Sequence, residues 1–258
     1  MRIDIHVHTT RYSDCGRSSP EEMVERAIDE GLEALVFTEH NVFWPAEELA
    51  ALQARYPQIL LLRGAEFTTS EGEDLLVYGP TDEDLIAIRR DGALLVRQVR
   101  ARGGAIVLAH PYRFHPDVPP WLDEYPVDGI EIMSSNIYEH TSQQGRALAR
   151  KLGLPVVASS DGHHVDSLGM YALDLYHPVH TEWELAQVLR EGAFTLYVNT
   201  PRIEAQNALL EHQCDQIRRL VAMEYDDEEI RAAIPEFVSL TVIRGVRQGI
   251  TMLRPARP

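Results

Sequence analysis

Short apolar runs alternate along the chain with segments whose apolar residues recur every three to four positions. The runs have the length and β-branched content of buried strands, and the periodic segments are typical of helices with one buried face. Strands are therefore predicted at residues 3–8, 34–38, 59–67, 75–78, 105–109, 129–133, 156–159 and 172–175. Helices are predicted at residues 20–30, 46–55, 83–102 with a break near Gly92, 142–152 and 182–191.

This alternation predicts an α/β fold whose strands are parallel and covered on both faces. An open doubly wound sheet and a closed barrel both satisfy the pattern. A TIM-like barrel is favoured, because polar and chemically active residues follow the ends of many successive strands.

The pattern changes after Thr200, where residues 202–223 and 227–234 are predicted to be helical and residues 238–253 to be mixed. We therefore expect two parts. Residues 1–200 would form the barrel. Residues 201–258 would form a mostly helical C-terminal extension, packed on the barrel or on a partner subunit.

Composition and charge exclude several classes of protein. No apolar run approaches the roughly 18 residues that a membrane span needs, and the first residues lack the pattern of a secretory signal. Two cysteines cannot build a disulfide framework, so a cytoplasmic location is expected. With 24 basic and 40 acidic residues the net charge is −16, which argues against long nucleic acid as a partner.

The first strand carries the strongest local signal for chemistry, in His6-Val7-His8. Residues two apart on a strand project from the same face, so the two imidazoles point together. Paired neutral imidazoles are good ligands for one divalent metal ion. Taken alone, a pair of packing histidines would explain the motif equally well.

Further polar residues follow the ends of other predicted strands. They are Asp14 in the first loop, Glu39 and His40, Glu66, His110 before a proline, and Asp161 with His163. Each has an ordinary explanation by itself. Burying so many polar groups together would be costly without a ligand, whereas metal ions would satisfy all of them.

These motifs resemble those of the polymerase and histidinol phosphatase (PHP) family over most of residues 1–200. The matching segments, in order, are His6-x-His8 leading to Ser13-Asp14, Thr38-Glu39-His40, Gly64-Ala65-Glu66, Ala109-His110-Pro111 and Ser160-Asp161-Gly162-His163. The resemblance implies a distorted (β/α)7 barrel that hydrolyses phosphate esters at a site of two or three divalent metal ions.

The same resemblance implies which residues bind these ions. The ligand groups are His6, His8, Glu66 and Asp161 for the first ion, the bridging Glu66 with His110 for the second, and Asp14, His40 and His163 for the third. Many relatives have a further histidine shortly after the bridging glutamate, where this chain has Asp74. Either Asp74 substitutes as a ligand, or the second site is weak or completed by water, so the number of ions stays open. The mixed nitrogen and oxygen ligands suit Zn, Mn or Fe.

The expected reaction is attack of a metal-bridging hydroxide on phosphorus, with Glu66 holding the ions together. Arg113, three residues after His110, is the first candidate to bind the phosphate and stabilise its charge, and Arg11 is the second. A surface arginine would explain Arg113 about as well. Bound ions would make the pocket positive although the whole chain is acidic, so a small phosphorylated metabolite or nucleotide is the expected substrate.

Three other functions stay open. Some relatives are 5′→3′ exonucleases, and short oligonucleotides could be substrates. Amidohydrolases that cleave C–N bonds also begin with His-x-His, but they usually need a metal-bridging lysine, and the single lysine, Lys151, lies in a predicted helix. A metal-binding accessory domain without activity is the third alternative. The C-terminal extension could also support a homo-oligomer.

Overall fold

Strands and helices alternate through most of the chain, which a computed structural model describes over residues 1–234 and 239–258. Its strands are β1 (Arg2–Val7), β2 (Ala34–Phe37), β3 (Leu60–Thr68), β4 (Asp74–Tyr78), β5 (Ala105–Leu108), β6 (Gly129–Met133), β7 (Val156–Ala158), β8 (Tyr171–Leu175) and β9 (Phe194–Val198). Its helices are α1 (Pro20–Asp29), α2 (Ala46–Arg55), α3 (Glu83–Ile88), α4 (Gly92–Ala101), α5 (Glu139–Leu152), α6 (Glu182–Glu191), α7 (Thr200–Ala222), α8 (Asp227–Ala233) and α9 (Leu240–Arg247).

The strands form one sheet in the order β7-β6-β5-β4-β3-β2-β1-β8-β9. The segment that follows β7 also reaches β1, because the Gly162 N–H donates to the His6 carbonyl at 3.1 Å and the His8 N–H donates to the Gly162 carbonyl at 2.9 Å. These bonds curl the sheet into a nearly closed barrel. The barrel prediction is confirmed, and the open doubly wound sheet is excluded.

Two strands run against the others, so the prediction of uniformly parallel strands was wrong. β4 is antiparallel to both of its neighbours, and β8 is antiparallel to β1 and β9. Only residues 69–73 separate β3 from β4, which is too short for the helical crossover that a parallel pair needs. β9, a half-exposed strand at one end of the sheet, was not predicted.

The helices follow the predicted pattern closely. The break near Gly92 is confirmed, since Asp91 caps a new helix by accepting a hydrogen bond from the Leu94 N–H at 2.9 Å. α5 begins at Glu139, one turn earlier than predicted. Among the residues that the structure describes, no helix combines the length and apolar character needed to cross a bilayer.

The barrel interior is apolar at one end and polar at the other. Its apolar end is a buried cluster made of Ile3, Ile5, Ala34, Val36, Leu62, Leu76, Tyr78, Val107 and Leu173, covered by Leu185, Ala186 and Leu189 of α6. Because every second residue of a strand faces the interior, Leu62 is followed on the same face by Gly64 and Glu66. The polar residues predicted to be functional therefore lie at the end opposite α6.

The C-terminal helices have a small core of their own that rests on the barrel. Residues of α7, α8 and α9 pack with Tyr138, which precedes α5. The last residues then run along the barrel: the Glu139 N–H donates to the Leu253 carbonyl at 2.7 Å, and the buried Tyr171 hydroxyl donates to the Pro255 carbonyl at 2.7 Å. Of the segment predicted to be mixed, residue 238 lies outside the described residues. A domain boundary at residue 200 stays a prediction.

Candidate metal centre

The polar end of the barrel brings most of the predicted ligands together. They come from β1, β3 and β4 and from the turns that follow β1, β2, β5 and β7, and they are His6, His8, His40, Glu66, Asp74, His110, Asp161 and His163. All but His40 and His163 are buried. Residues as far apart in the chain as His6 and His163 thus share one small space, as a metal site requires.

Glu66 lies at the middle of this group and faces four imidazoles. Its Oε2 atom is 3.0 Å from His8 Nε2, 3.1 Å from His40 Nδ1 and 3.3 Å from His6 Nε2. Its Oε1 atom is 2.9 Å from His110 Nε2. The two oxygens of one carboxylate thus face different sets of nitrogen atoms, which is the arrangement of a bridging ligand.

Asp161 faces the same space from the turn after β7. Its Oδ1 atom is 3.4 Å from His6 Nε2, 3.6 Å from His8 Nε2 and 3.4 Å from His163 Nδ1. Its Oδ2 atom accepts a hydrogen bond from the Asn136 amide at 2.7 Å. One oxygen of Asp161 is therefore held by the protein, and the other faces the histidines.

The donor atoms fit divalent metal ions. Among the described residues, four groups have their potential ligand atoms within 4.8 Å of one another: His8, His40 and His163; His6, His110 and Asp161; His6, His8 and Glu66; and Glu66, Asp74 and His110. Glu66 Oε2 and Asp161 Oδ1 are buried and lack a hydrogen-bond partner in the described part of the chain. Such atoms are costly to bury, and a cation bound by the nitrogen and oxygen donors around them would satisfy both.

Two predicted ligands differ in their placement. Asp74 lies in the group with Glu66 and His110, and its Oδ1 atom accepts a hydrogen bond from the Thr68 hydroxyl at 2.6 Å. Asp14 is exposed on the loop after β1, and none of the four groups includes it. Its assignment to a third ion stays a prediction.

Glu131 is a buried residue of the site that the sequence reasoning missed. Its carboxylate accepts hydrogen bonds from His6 Nδ1 at 3.0 Å, from the His110 N–H at 2.9 Å and from the Ser159 hydroxyl. An ionised carboxylate can only accept, so His6 carries a hydrogen on Nδ1 and turns Nε2 towards Glu66. The sequence does indicate this residue, because Glu131 is the one charged residue in the otherwise apolar strand segment 129–133.

We expect Glu131→Gln to lower the affinity for metal ions by about 10- to 100-fold, because His6 would lose the carboxylate that orients it. Metal competition with a chromophoric chelator measures this affinity. Glu47→Gln, at an exposed position of α2, is the matched control and should leave this affinity unchanged. Equal affinities for the wild type and Glu131→Gln would refute this role for Glu131.

His8 is oriented in a similar way by the first loop. The Ser13 hydroxyl donates to Glu39 at 2.6 Å and lies 3.3 Å from His8 Nδ1, so Nδ1 is the donor of that pair. Glu39 also accepts hydrogen bonds from the Thr9 hydroxyl at 2.5 Å and from Trp44 Nε1 at 3.0 Å. The buried Glu39 therefore ties the loop to β2 and leaves His8 Nε2 directed at the centre.

Two of the predicted ligands have a strained backbone. His110 has a φ of 25° and Asp161 a φ of 47°, values in the left-handed region that non-glycine residues rarely adopt. Each such residue costs of order 1–3 kcal/mol, and strain of this kind gathers at functional sites. The turns after β5 and β7 thus hold both side chains in place at a cost in stability.

The metal-free centre contains both charged and neutral imidazoles. Burial opposes protonation of His6, but the carboxylates of Asp161, Glu66 and Glu131 outweigh it and raise the pKa of His6 well above its ordinary value. Burial lowers the pKa of His8 to about 3, so this imidazole is neutral at pH 7. Burial would raise the pKa of Asp161 and Glu66, yet the charge on His6 reverses the effect and lowers both.

The two predicted substrate arginines lie in different places. Arg113 Nη1 is 3.5 Å from Asp161 Oδ2, and Arg113 lines a cavity of about 420 Å³ beside the metal centre. Arg11 is paired with Glu48 at 2.8 Å and lines another pocket, formed with α2. The structure therefore brings Arg113 to the centre, and it does not bring Arg11 there.

Comparison with known proteins agrees with this arrangement. The PHP domain family matches residues 4–236. The chain belongs to the PHP family. The resemblance read from the sequence is therefore confirmed. A search of curated proteins finds no match to this PHP chain.

Solved structures of low sequence identity share the PHP fold. A two-domain protein of Bacteroides vulgatus, containing a predicted PHP-like metal-dependent phosphoesterase, is 18% identical with a TM-score of 0.57; the match covers 78% of this chain and 65% of that one. PsfC from Pseudomonas syringae is 20% identical with a TM-score of 0.52, over 78% and 92% of the two chains. An amidohydrolase from Chromobacterium violaceum, with bound sulfate and no metal, is 18% identical with a TM-score of 0.51, over 77% and 98%. At these identities the likeness shows the fold alone.

Proposed function

We propose that this PHP protein hydrolyses phosphate monoesters of small metabolites or mononucleotides with the help of two or three divalent metal ions. The observation that supports this function best is a pair of buried oxygens, Glu66 Oε2 and Asp161 Oδ1, beside a cavity lined by arginine. Neither oxygen has a hydrogen-bond partner among the described residues. The oxygens favour bound cations, and the cavity favours an anionic substrate next to them.

The residues that would hold the ions are His6, His8, His40, Glu66, Asp74, His110, Asp161 and His163, with Asp14 as a further candidate. Bound Zn, Mn or Fe would polarise a phosphoryl oxygen as a Lewis acid and neutralise charge that develops on the phosphate. The location that suits such a protein is the cytoplasm, as its two cysteines suggest.

Arg113 is the residue of this chain that would contact the phosphate. Its guanidinium lies within 3.5 Å of a ligand carboxylate and also lines the cavity, so it can reach an oxyanion held at the centre. A planar guanidinium donates two parallel hydrogen bonds to a phosphate, which orients the ester and stabilises its charge. The cavity volume of about 420 Å³ suits a small molecule.

The alternative of C–N hydrolysis by a lysine-bridged pair of ions has a specific argument against it. Lys151 is the single lysine of the chain, and it lies on α5 in an exposed ion pair with Asp123 at 2.7 Å. It cannot bridge ions at the centre. An exonuclease acting on short oligonucleotides is less favoured because the net charge of −16 opposes polyanions.

Turnover by protein that has been stripped of metal and reloaded with Zn, Mn or Fe tests this proposal. We expect phosphate release from mononucleotides, phosphorylated metabolites and an aryl phosphate, and none or little from amides or oligonucleotides. Arg113→Gln should lower kcat/KM by about 10²- to 10³-fold, the usual loss when one donor to a transition-state oxyanion is removed. Arg150→Gln, an exposed arginine on α5, is the control. Amide cleavage without phosphate release would overturn the proposal.

A further inference from the structure

The cavity beside the metal centre has two walls of different origin. One wall belongs to the barrel and includes Arg17, Arg113 and Asn136. The other belongs to the C-terminal extension and includes Gln206 of α7 and Arg254 of the final segment. The extension therefore forms part of the space in which a substrate of the metal centre would lie.

The described charged side chains that line this cavity are mostly positive, whereas the whole protein is acidic. Of the residues that the structure describes, Arg17, Arg113 and Arg254 line it together with one carboxylate, that of Asp166. Asp166 is itself paired with His164 at 3.2 Å. A positive cavity in a chain of net charge −16 favours anionic ligands.

Arg254 is held rigidly although it has no carboxylate partner in the described part of the chain. Its Nε donates to the Ser135 carbonyl at 3.0 Å, and its Nη1 donates to Gln206 Oε1 at 3.1 Å. The Arg254 N–H donates to Asn207 Oδ1, and the side-chain amide of Asn207 donates to the Arg254 carbonyl, both at 2.9 Å. These bonds orient the guanidinium, and no acidic side chain among residues 1–234 and 239–258 forms an ion pair with it.

The barrel residue that holds Arg254 also contacts the metal centre. The Ser135 hydroxyl donates to the Asp161 carbonyl at 3.2 Å, and the next residue, Asn136, donates to Asp161 Oδ2 at 2.7 Å. Arg113, which approaches the same Oδ2 atom, lies at the metal end of the cavity. Arg254 occupies the end formed by the extension, so one molecule in the cavity can reach both.

We infer that Arg254 is a specificity residue, which binds a second anionic group of the substrate, a carboxylate or a second phosphate. The ester phosphate would lie at the metal centre beside Arg113 while the second group pairs with the guanidinium of Arg254. This inference rests on the proposed function, and it assigns the C-terminal extension a part in choosing the substrate.

Three esters that differ in their second group test the role of Arg254. They are glycerol 3-phosphate, which has none, 3-phosphoglycerate, which adds a carboxylate, and 2,3-bisphosphoglycerate, which adds a second phosphate as well. Arg254→Gln should lower kcat/KM for the last two by about 10- to 100-fold, the loss expected for a charged hydrogen-bonded pair, and change that for glycerol 3-phosphate by less than about twofold. The ratio between the last two tells which second group matters more.

Two further variants separate recognition from folding. Arg257→Gln removes an exposed arginine of the same tail and should leave all three values unchanged. Arg254→Lys keeps the charge but loses the planar fork, and we expect an intermediate loss with 3-phosphoglycerate. Equal losses for all three esters, or no loss for any of them, would overturn the inference.

Binding to metal-free protein gives a readout that does not depend on the proposed function. By titration calorimetry, wild-type protein should bind 3-phosphoglycerate more tightly than glycerol 3-phosphate, and Arg254→Gln should abolish that difference. If the reloaded enzyme cleaves no phosphate ester, the proposed function fails, and the calorimetry still decides the role of Arg254. Equal affinities of wild-type protein for the two compounds would count against that role.

Discussion

Glu66→Gln is expected to lower the turnover of metal-loaded protein by at least about 10³-fold. A single carboxylate faces the nitrogen atoms of four histidines, three of them nearest to Oε2 and one nearest to Oε1. In the glutamine amide, the neutral oxygen would bind a cation only weakly, and the NH₂ group would repel it. Loss of one transition-state donor costs up to about 10³-fold, and a bridging ligand supports more than one such interaction.

Initial rates and metal content per chain should be measured together for this variant. Glu71→Gln is the matched control, since Glu71 is exposed only a few residues further along the chain. Circular dichroism should show that both variants are folded. A Glu66→Gln protein with full metal content and full turnover would disprove the assignment of the centre.

Removal of metal ions is expected to abolish turnover and to lower the melting temperature. Ions that bind only the folded state stabilise it by about 4 kcal/mol when their free concentration is a thousand times Kd. For a chain of this size such a change corresponds to roughly 10 °C. Scanning calorimetry before and after treatment with a chelator measures the shift, and added Zn, Mn or Fe should restore both properties. Chelated protein that remains fully active would contradict a metal-dependent reaction.

The affinity for these ions should rise with pH. In the metal-free protein the pKa of His6 lies well above its ordinary value, because the surrounding carboxylates outweigh the effect of burial. Below that pKa the imidazole carries a proton that an incoming ion must displace, so acidification weakens binding by up to about tenfold per pH unit for this one group. Metal titrations between pH 6 and pH 8 would reveal this slope, and an affinity independent of pH would exclude it.

Most of the residues that the structure brings together at the candidate centre could be predicted from the sequence, because they lie next to strongly patterned strands. Each apolar run marks a buried strand, and His6, Glu66 and His110 lie on it or directly after it, so their direction follows from the strand. The same reasoning could not find the reversal of β4 and β8, since hydrophobic patterns are the same for both strand directions. It also missed β9, whose residues are mostly half-exposed.

Residues outside the strands were less predictable. Asp14 and Arg11 lie in the loop after β1, whose path depends on contacts such as that between Ser13 and Glu39 rather than on any periodicity. Arg254 is more than 90 residues from Asp161, and no pattern of the sequence indicates that the final segment returns to the barrel. Such placements depend on tertiary packing, which a local pattern does not contain.

The barrel interior is apolar near α6 and polar at its other end, so the residues that stabilise the fold are separate from the residues expected to bind metal ions and substrate. Leu62 and Leu185 belong to the buried apolar cluster beside α6, and this cluster contains none of the predicted ligands. Substitutions that improve packing in the apolar half could therefore raise the stability of the protein, and substitutions at the opposite end could change its substrate selectivity. Stability and selectivity could then be changed independently, because they depend on different residues.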